Sequence, residues 1–401
     1  MLVSCLEGYG QTSLSHSSRY QQALQKMKEK KYAEAEKQWT QLLQEGYDSA
    51  RIFLHRGEAR LKQRNIIQAS EDLEVYRRRK GDADKNLLYM LGIVRHEQGE
   101  NDAAHYFFDQ AKRAGASFQP AEEALWGSLQ YHRNMFAEAV SAFNLAEKAG
   151  VKTDGLLEER GKSNFQLKQY DAAIKDLLIL INKKPEDLGV NECLGLSYAY
   201  TQRLGMATPF LKTARRLKSK NQDVYFFLGN AALEQSQFDQ ATMYYHQADS
   251  LGLAHENLFV NRGMAYWKQG KQSEASADVE KALSFNHMSV PAMKLRAEIS
   301  QHNEDWKKVV IDVAIVEVLG QASVEDWMRA ADARIHMKSY AEAITTFDKV
   351  IAKKPTWGEG YLNRGQAWLL LNQPEKACAD FRAAQKYKLA SAAELVGKHC
   401  R

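Results

Sequence analysis

The stretch that decides the fold runs from Leu91 to Ala111, LGIVRHEQGENDAAHYFFDQA. In it Gly92 is followed twelve positions later by Ala104 and sixteen positions later by Phe108, with Gly99 between. Moving outward in both directions, the same signal returns. Small residues stand at Ala23, Gly57, Gly92, Gly127, Gly161, Gly195, Gly229, Gly263, Ala297, Ala331 and Gly365, 34 residues apart except for two steps of 35. Twelve residues after each comes an alanine, replaced by Val309 in the ninth copy alone. One helical turn further stands a bulky apolar or aromatic residue: Trp39, Leu73, Phe108, Phe143, Leu177, Leu211, Tyr245, Val279, Val313, Phe347 and Phe381. A fixed period of this length marks a repeat architecture, here of eleven units.

Physically, each unit reads as two antiparallel helices. The small residue of the first lets the second approach, the alanine fits that gap, and the bulky residue fills the core between neighbouring units. Turn residues fall where this requires them. Gly99 and Gly270 separate paired helices, Pro185 and Pro355 follow second helices, and Pro374 suits the first turn of one. Pro209 is less comfortable and predicts that the second helix of its unit starts late, near Ala207.

These residues resemble the tetratricopeptide repeat. The fullest copies are those of Leu91-Gly92, Ala104, Phe108 and Ala111; of Tyr170, Ala173 and Pro185; and of Gly263, Tyr266, Gly270, Ala275 and Ala282. The resemblance implies an all-α solenoid, a right-handed superhelix of about eleven helix-turn-helix repeats. Units fall near 16–49, 50–84, 85–119, 120–153, 154–187, 188–221, 222–255, 256–289, 290–323, 324–357 and 358–391. A capping helix over 390–401 closes the array, since a stack that buries its core between neighbours needs solvated ends. Residues 1–15 read as a flexible leader, since Gln11 to Ser18 is polar and serine-rich, before a first helix near Arg19. No interior linker interrupts the pattern, which predicts one continuous array.

Composition limits the function classes. The 401 residues are 44% hydrophobic with 6 Pro, a folded rather than disordered or collagen-like composition. The net charge of +5, from 55 basic and 50 acidic residues, gives no strong pull toward nucleic acid. Basic runs such as Arg77 to Lys80 and Lys212 to Lys220 lie toward the ends of second helices, where cations complement the helix dipole. No run reaches the roughly 18 apolar residues of a membrane-spanning helix; Val309 to Leu319 is interrupted by Asp312 and Glu317.

Catalytic and cofactor chemistry finds no purchase. Gly155 to Ser163 brushes against a phosphate-loop pattern, but five residues rather than four separate Gly155 from Gly161, and Gly161 is the packing glycine of the fifth unit. His246, His255, His302 and His336 are scattered over different units without metal-ligand spacing, and the four cysteines form no C-x-x-C pair. The expectation is a non-enzyme with no cofactor, no metal and no small-molecule substrate.

The resemblance also implies a binding face. First helices of such repeats line a concave groove, at positions three before the packing residue and one, four and five after it. In this sequence those positions include Tyr89, Ile93, His96, Ser128, Tyr131, Phe165, Tyr200, Phe226, Asn230, Met264 and Trp267, an aromatic set suited to an extended peptide or a partner helix. The competing reading is that the rings pack against the next unit. The family's clamp for acidic chaperone tails fails residue by residue. Lys294, Arg329 and Asn363 approach it, but Glu298 and Glu359 stand where an asparagine and a lysine are required.

Compartment is argued from cysteines. Met1-Leu2-Val3-Ser4-Cys5 resembles the end of a bacterial lipoprotein signal, which implies lipid on Cys5. The basic start and apolar core of such a signal do not stand before it, leaving two readings: a start upstream of Met1, or an accidental match. Folding back near Lys388 sets Cys378 opposite Cys400, either as a disulfide or as two separate thiols. The closing Ala377-Cys378 to His399-Cys400 segment also resembles exported Bacteroidetes repeat proteins. The resulting expectation is a scaffold that binds a protein or peptide in its groove, in the cell envelope and tethered by lipid, with no nucleic-acid partner. The alternatives are a cytoplasmic regulatory adaptor and a binder of glycans or envelope polymers.

Overall fold

The computed structural model describes the backbone of residues 4–400 and the side chains of residues 16–400. Among the described residues there are 23 helices and no strand, paired as eleven hairpins of a helix A and a helix B with one closing helix. They fall into two compact units, Met1–Pro185 and Glu186–Arg401. The first opens on helix Ser4–Lys28 and ends with helix Tyr170–Ile181; the second runs from helix Leu188–Tyr200 to the closing helix Ala390–His399. Each unit is an α-solenoid in which consecutive hairpins stack. The opening helix begins well upstream of Arg19, over residues read from sequence as a flexible leader. The Cys5 side chain lies outside the described residues.

The packing glycine acts more directly than its pattern suggested. The ring sixteen residues on lies across it: a Cβ added to Gly92 would stand 2.6 Å from Phe108, and one at Gly229 only 2.5 Å from Tyr245. The alanines at the twelve-residue offset, such as Ala104, Ala173 and Ala275, are fully buried beside these contacts. In the ninth repeat the two helices form in spite of its branched residue, with Val309 and Val313 both buried.

One backbone device closes every hairpin. Seven residues after each packing position the chain enters the left-handed region, at Lys30, Arg64, Gly99, Asn134, Lys168, Gln202, Ser236, Gly270, Glu304, Lys338 and Asn372. The next amide donates back into the last turn of helix A, as from Asn65 N to Arg60 O at 2.8 Å and from Asp305 N to Ser300 O at 2.9 Å. This is a Schellman closure, which satisfies carbonyls that a helix end leaves open. Helix B of the sixth repeat, Leu204–Arg216, holds Pro209 in its interior and starts before, not at, Ala207. Pro209 and Gly205 are exposed, so the carbonyl that loses its partner faces water.

Five repeats share a second device. An arginine just before the packing residue forms a fork with an aspartate sixteen positions on: Arg56–Asp72 and Arg160–Asp176 in the first unit, Arg262–Asp278, Arg296–Asp312 and Arg364–Asp380 in the second. All five aspartates are buried, Asp312 completely. The arginines reach on to helix B of the preceding repeat, Arg160 to Asn144 and Glu147, Arg364 to Asp348. In the other repeats the same two positions hold Leu91/Phe107, Trp126/Ala142, Leu194/Phe210, Leu228/Tyr244, Ala330/Thr346 and Gln22/Gln38. A lone charge never occupies the pair, as the cost of an unpaired buried ion requires.

At the end of the second unit, Cys378 on helix Pro374–Lys386 is joined by a disulfide to Cys400, with Cα atoms 5.4 Å apart. Ala392 of the closing helix is fully buried, and the closing turn sets His399 against the Phe381 ring.

Candidate functional site on the helix A faces

In the first unit, the helix A face of repeats two to four opens into a cavity of about 710 Å³. Its apolar lining is Leu54, Leu61, Tyr89, Met90 and Ile93; its polar lining includes His55, Glu58, Lys62, Asn86 and Glu122. A second cavity on the same face, lined by Leu24, Met27 and Tyr32, shares His55, Glu58 and Lys62 with it. The helical period explains this arrangement. Positions one, four and five after the packing residue fall on one side of helix A, so Glu58, Leu61 and Lys62 project together. Tyr89 packs on Phe118 and Phe108, ring centroids 5.3 and 6.3 Å away. Its hydroxyl and Glu122 Oε2 are shut off from solvent without a hydrogen-bond partner. Burial, and then the neighbouring Glu122 carboxylate, push the Tyr89 phenol well above its ordinary pKa, so it stays neutral.

In the second unit, repeats nine to eleven form a cavity of about 460 Å³ on the helix A face. Met328, Ile335, Phe347, Trp357 and Leu370 give its apolar part; Gln301, Glu325, Arg329, Asp332, Glu359, Asn363 and Gln366 give its polar part. Arg329 donates to Gln301 Oε1 at 2.9 Å and stands 3.5 Å from Asp326. Asp326 and Ser323 form a capping box at the start of helix Val324–His336. Burial opposes ionisation of Asp326, but the Ser323 amide, Lys294 at 2.9 Å and the Ser323 hydroxyl outweigh it and hold the carboxyl below its usual range.

Of the groove residues read from sequence, only Tyr89 and Ile93 line a cavity described here. His96 faces Asn101 Oδ1 at 3.1 Å, Ser128 donates to Glu159 at 3.1 Å, and Tyr131 and Phe165 are half-buried against Phe136 and Tyr170. Tyr200 stays 40% exposed, its hydroxyl donating to Asp223. Phe226 does not belong to a groove. It is buried among Phe227, Tyr245 and His255, whereas Tyr89 at the same register position lines the first-unit cavity. Asn230 is occupied by the Tyr245 hydroxyl and the Asn261 amide, Met264 is half-buried, and Trp267 donates to Glu298 at 2.8 Å. Glu58, Lys62, Asp332 and Gln366 stand at the same register positions but outside the expected set; Trp357, in the loop before helix A, has no register signal. Lys294, from the chaperone-clamp comparison, is spent on Asp326, while Asn363 and Glu359 line the cavity of repeats nine to eleven.

These hairpins, stacked with one register, define the chain as an α-solenoid repeat protein. The tetratricopeptide-repeat family model matches residues 257–286, the helix pair of the eighth repeat. The chain is 23% identical over 284 residues to human protein O-mannosyl-transferase TMTC3 and 24% identical over 165 residues to its mouse counterpart. Those matches take in 63% and 41% of this chain but only 31% and 16% of the relatives' length. Among solved structures it is similar to the APC/C hetero-tetramer Cut9-Hcn1, at 11% identity and a TM-score of 0.41, covering 96% of this chain and 90% of that one. It is also similar to yeast Tom70, at 13% identity and a TM-score of 0.33 over 96% and 94% of the two chains. A tetratricopeptide repeat protein from Parabacteroides merdae shares 18% identity and a TM-score of 0.34, over 61% and 97%.

Proposed function

We propose that the chain is a non-catalytic scaffold that holds a protein or peptide partner on its helix A faces. The first-unit cavity carries this reading: a hollow of about 710 Å³ with Leu54, Leu61, Met90 and Ile93 in its lining, beside Glu58, Lys62 and Asn86, whose side chains make no hydrogen bond or ion pair among the described residues. Such a surface offers burial to apolar side chains and hydrogen bonds to an extended backbone. We do not carry the transferase activity of the mannosyl-transferase relatives to this chain, which spans at most 31% of their length. The test is photo-crosslinking in the source cells, with benzoylphenylalanine at Ile93 in the cavity or at Tyr106, 53% exposed on helix B. Protein crosslinks formed from Ile93 and not from Tyr106 are expected; equal yields from both, or none, would sink the reading.

The same proposal sets the scaffold in the cell envelope, tethered by lipid on Cys5. It is supported by the lipoprotein-like Met1–Cys5 segment and by the Cys378–Cys400 disulfide, a bond that persists in oxidising compartments. Mass spectrometry of unreduced protein from its own cells reads both. Diacylglycerol on Cys5 and a linked Cys378–Cys400 peptide are the expected masses, and an unmodified Cys5 with two separate thiols would return the protein to the cytoplasm.

A further inference from the structure

We infer that the cavity of repeats nine to eleven selects a cationic segment, an extended peptide that sets an arginine or lysine beside an apolar side chain. This rests on the peptide-binding reading and names the chemistry of one partner. The chain as a whole carries +5, yet this cavity inverts the sign. Its lining holds three carboxylates, Glu325, Asp332 and Glu359, against the single cation Arg329. The anions face outward and the cation does not. The side chains of Glu325 and Asp332 are 67% and 47% exposed, whereas Arg329 is 19% exposed.

Arg329 is moreover already engaged, by Gln301 at 2.9 Å, Asp326 at 3.5 Å and Glu298 at 3.9 Å, so its charge is answered from within the protein. Lys354 pairs with Glu325 at 3.0 Å and sits over the Trp357 ring at 5.0 Å, a cation–aromatic contact beside the cavity. Asp332 has Gln301 at 3.3 Å and His336 at 3.7 Å, while Glu359 has no ion pair within 4 Å among the described residues. A guanidinium or ammonium seated between Asp332 and Glu359 meets two carboxylates. A neighbouring apolar side chain then reaches Met328, Ile335 and Leu370, the last 51% exposed. An acidic peptide would meet repulsion from the same groups.

The experiment is selection of random dodecapeptides displayed on phage against the full chain, in parallel with the Asp332→Asn, Glu359→Gln double variant and with Glu138→Gln, Asp239→Asn, two exposed carboxylates outside both cavities, as a charge-matched control. Glu359, Glu138 and Asp239 are exposed and the Asp332 side chain is about half so, and helical circular dichroism checks that each variant folds. The expected result is enrichment of Arg or Lys next to an apolar residue. A selected peptide, made synthetically, should bind the double variant at least tenfold more weakly, bind the control unchanged, and weaken with added salt. Peptides selected without cationic bias, or cationic peptides that bind the double variant as well as the parent, overturn this inference and leave the scaffold reading standing. A selection that yields no binding peptide overturns both.

Discussion

At the scale of single residues, the structure separates packing glycines that must be glycine from one that need not be. Gly229 lies under the Tyr245 ring, and a methyl there would stand 2.5 Å from ring carbons. At Gly263 the facing residue is Val279, and the nearest atoms to an added Cβ are 3.3 to 3.5 Å away. Alanine relieves the helix of glycine's entropy cost but meets Asp278 Cβ at 3.3 Å, so Gly263→Ala should stay within roughly 0.5–1 kcal/mol of the parent. Gly229→Ala should cost about 1–3 kcal/mol through overpacking, read as a fall in the urea midpoint. The buried forks make a second residue-scale claim. Asp176→Ala leaves the Arg160 guanidinium with only the part-exposed Glu147 as counter-charge and should cost about 1.5–3 kcal/mol, less than a wholly unpaired buried ion would. The double change Arg160→Leu, Asp176→Phe copies the Leu194/Phe210 pair at the same register and should recover most of that loss. If the double variant proves no more stable than Asp176→Ala, the two pairings are not interchangeable solutions to one packing problem. Both devices were written in the sequence. The arginine and aspartate recur together at fixed offsets, but the search for a repeat weighs apolar and small residues, and a charge pair in a core is not what such a search looks for.

At the scale of elements, the closure between helix A and helix B sets the terms. Its left-handed residue costs a non-glycine about 1–2 kcal/mol, and nine of the eleven repeats accept that cost. Glu304, at φ 59°, is the clearest place to remove it. Glu304→Gly should stabilise the second unit by about 0.5–1 kcal/mol after allowance for glycine's extra freedom in the unfolded chain. Gly270→Ala should do the reverse, and equal thermal midpoints for the two variants would show that the turn is unstrained. Helix starts add a pH dependence. Asp326 caps its helix with a carboxyl whose pKa is lowered by folding. Its contribution is therefore complete above the unfolded value near 4 and is lost as pH falls through the lower folded one. Thermal midpoints of the parent and Asp326→Asn should differ at pH 6 and converge toward pH 2; a constant gap would place the effect in packing instead of charge. The sequence located these hairpins because Gly99, Gly270, Pro185 and Pro355 punctuate them. It misplaced the start around Pro209, since an exposed proline can leave its orphaned carbonyl to water without delaying the helix.

At the scale of the molecule, what was legible follows from what the period constrains. Core positions are fixed by contact with the next hairpin, so Gly92, Ala104 and Phe108 announced the fold wherever their spacing recurred. The helix A face is constrained by nothing in the array. Its occupants had to be chosen by residue type, and the expected set took in Phe226, which is core, and left out Glu58 and Asp332. The same locality governs how the stack unfolds. In a quasi-one-dimensional array, stability is a sum of repeat and neighbour terms, and an end repeat has one neighbour fewer. The Cys378–Cys400 disulfide ties the closing helix to helix Pro374–Lys386 across 22 residues of sequence. A loop of that length corresponds to about 3 kcal/mol of lost unfolded-state entropy, and here the loss is felt at one end. Replacing both cysteines with serine should speed amide exchange in residues 374–399 by a hundredfold or more while leaving the hairpins around Ala241 and Ala275 at parent rates. Because Phe381 and Ala384 are fully buried under this end, the released closing helix should also raise binding of a hydrophobic dye. Uniform acceleration across the second unit would mean that its repeats unfold as one cooperative block, and that the disulfide stabilises the block and not the end.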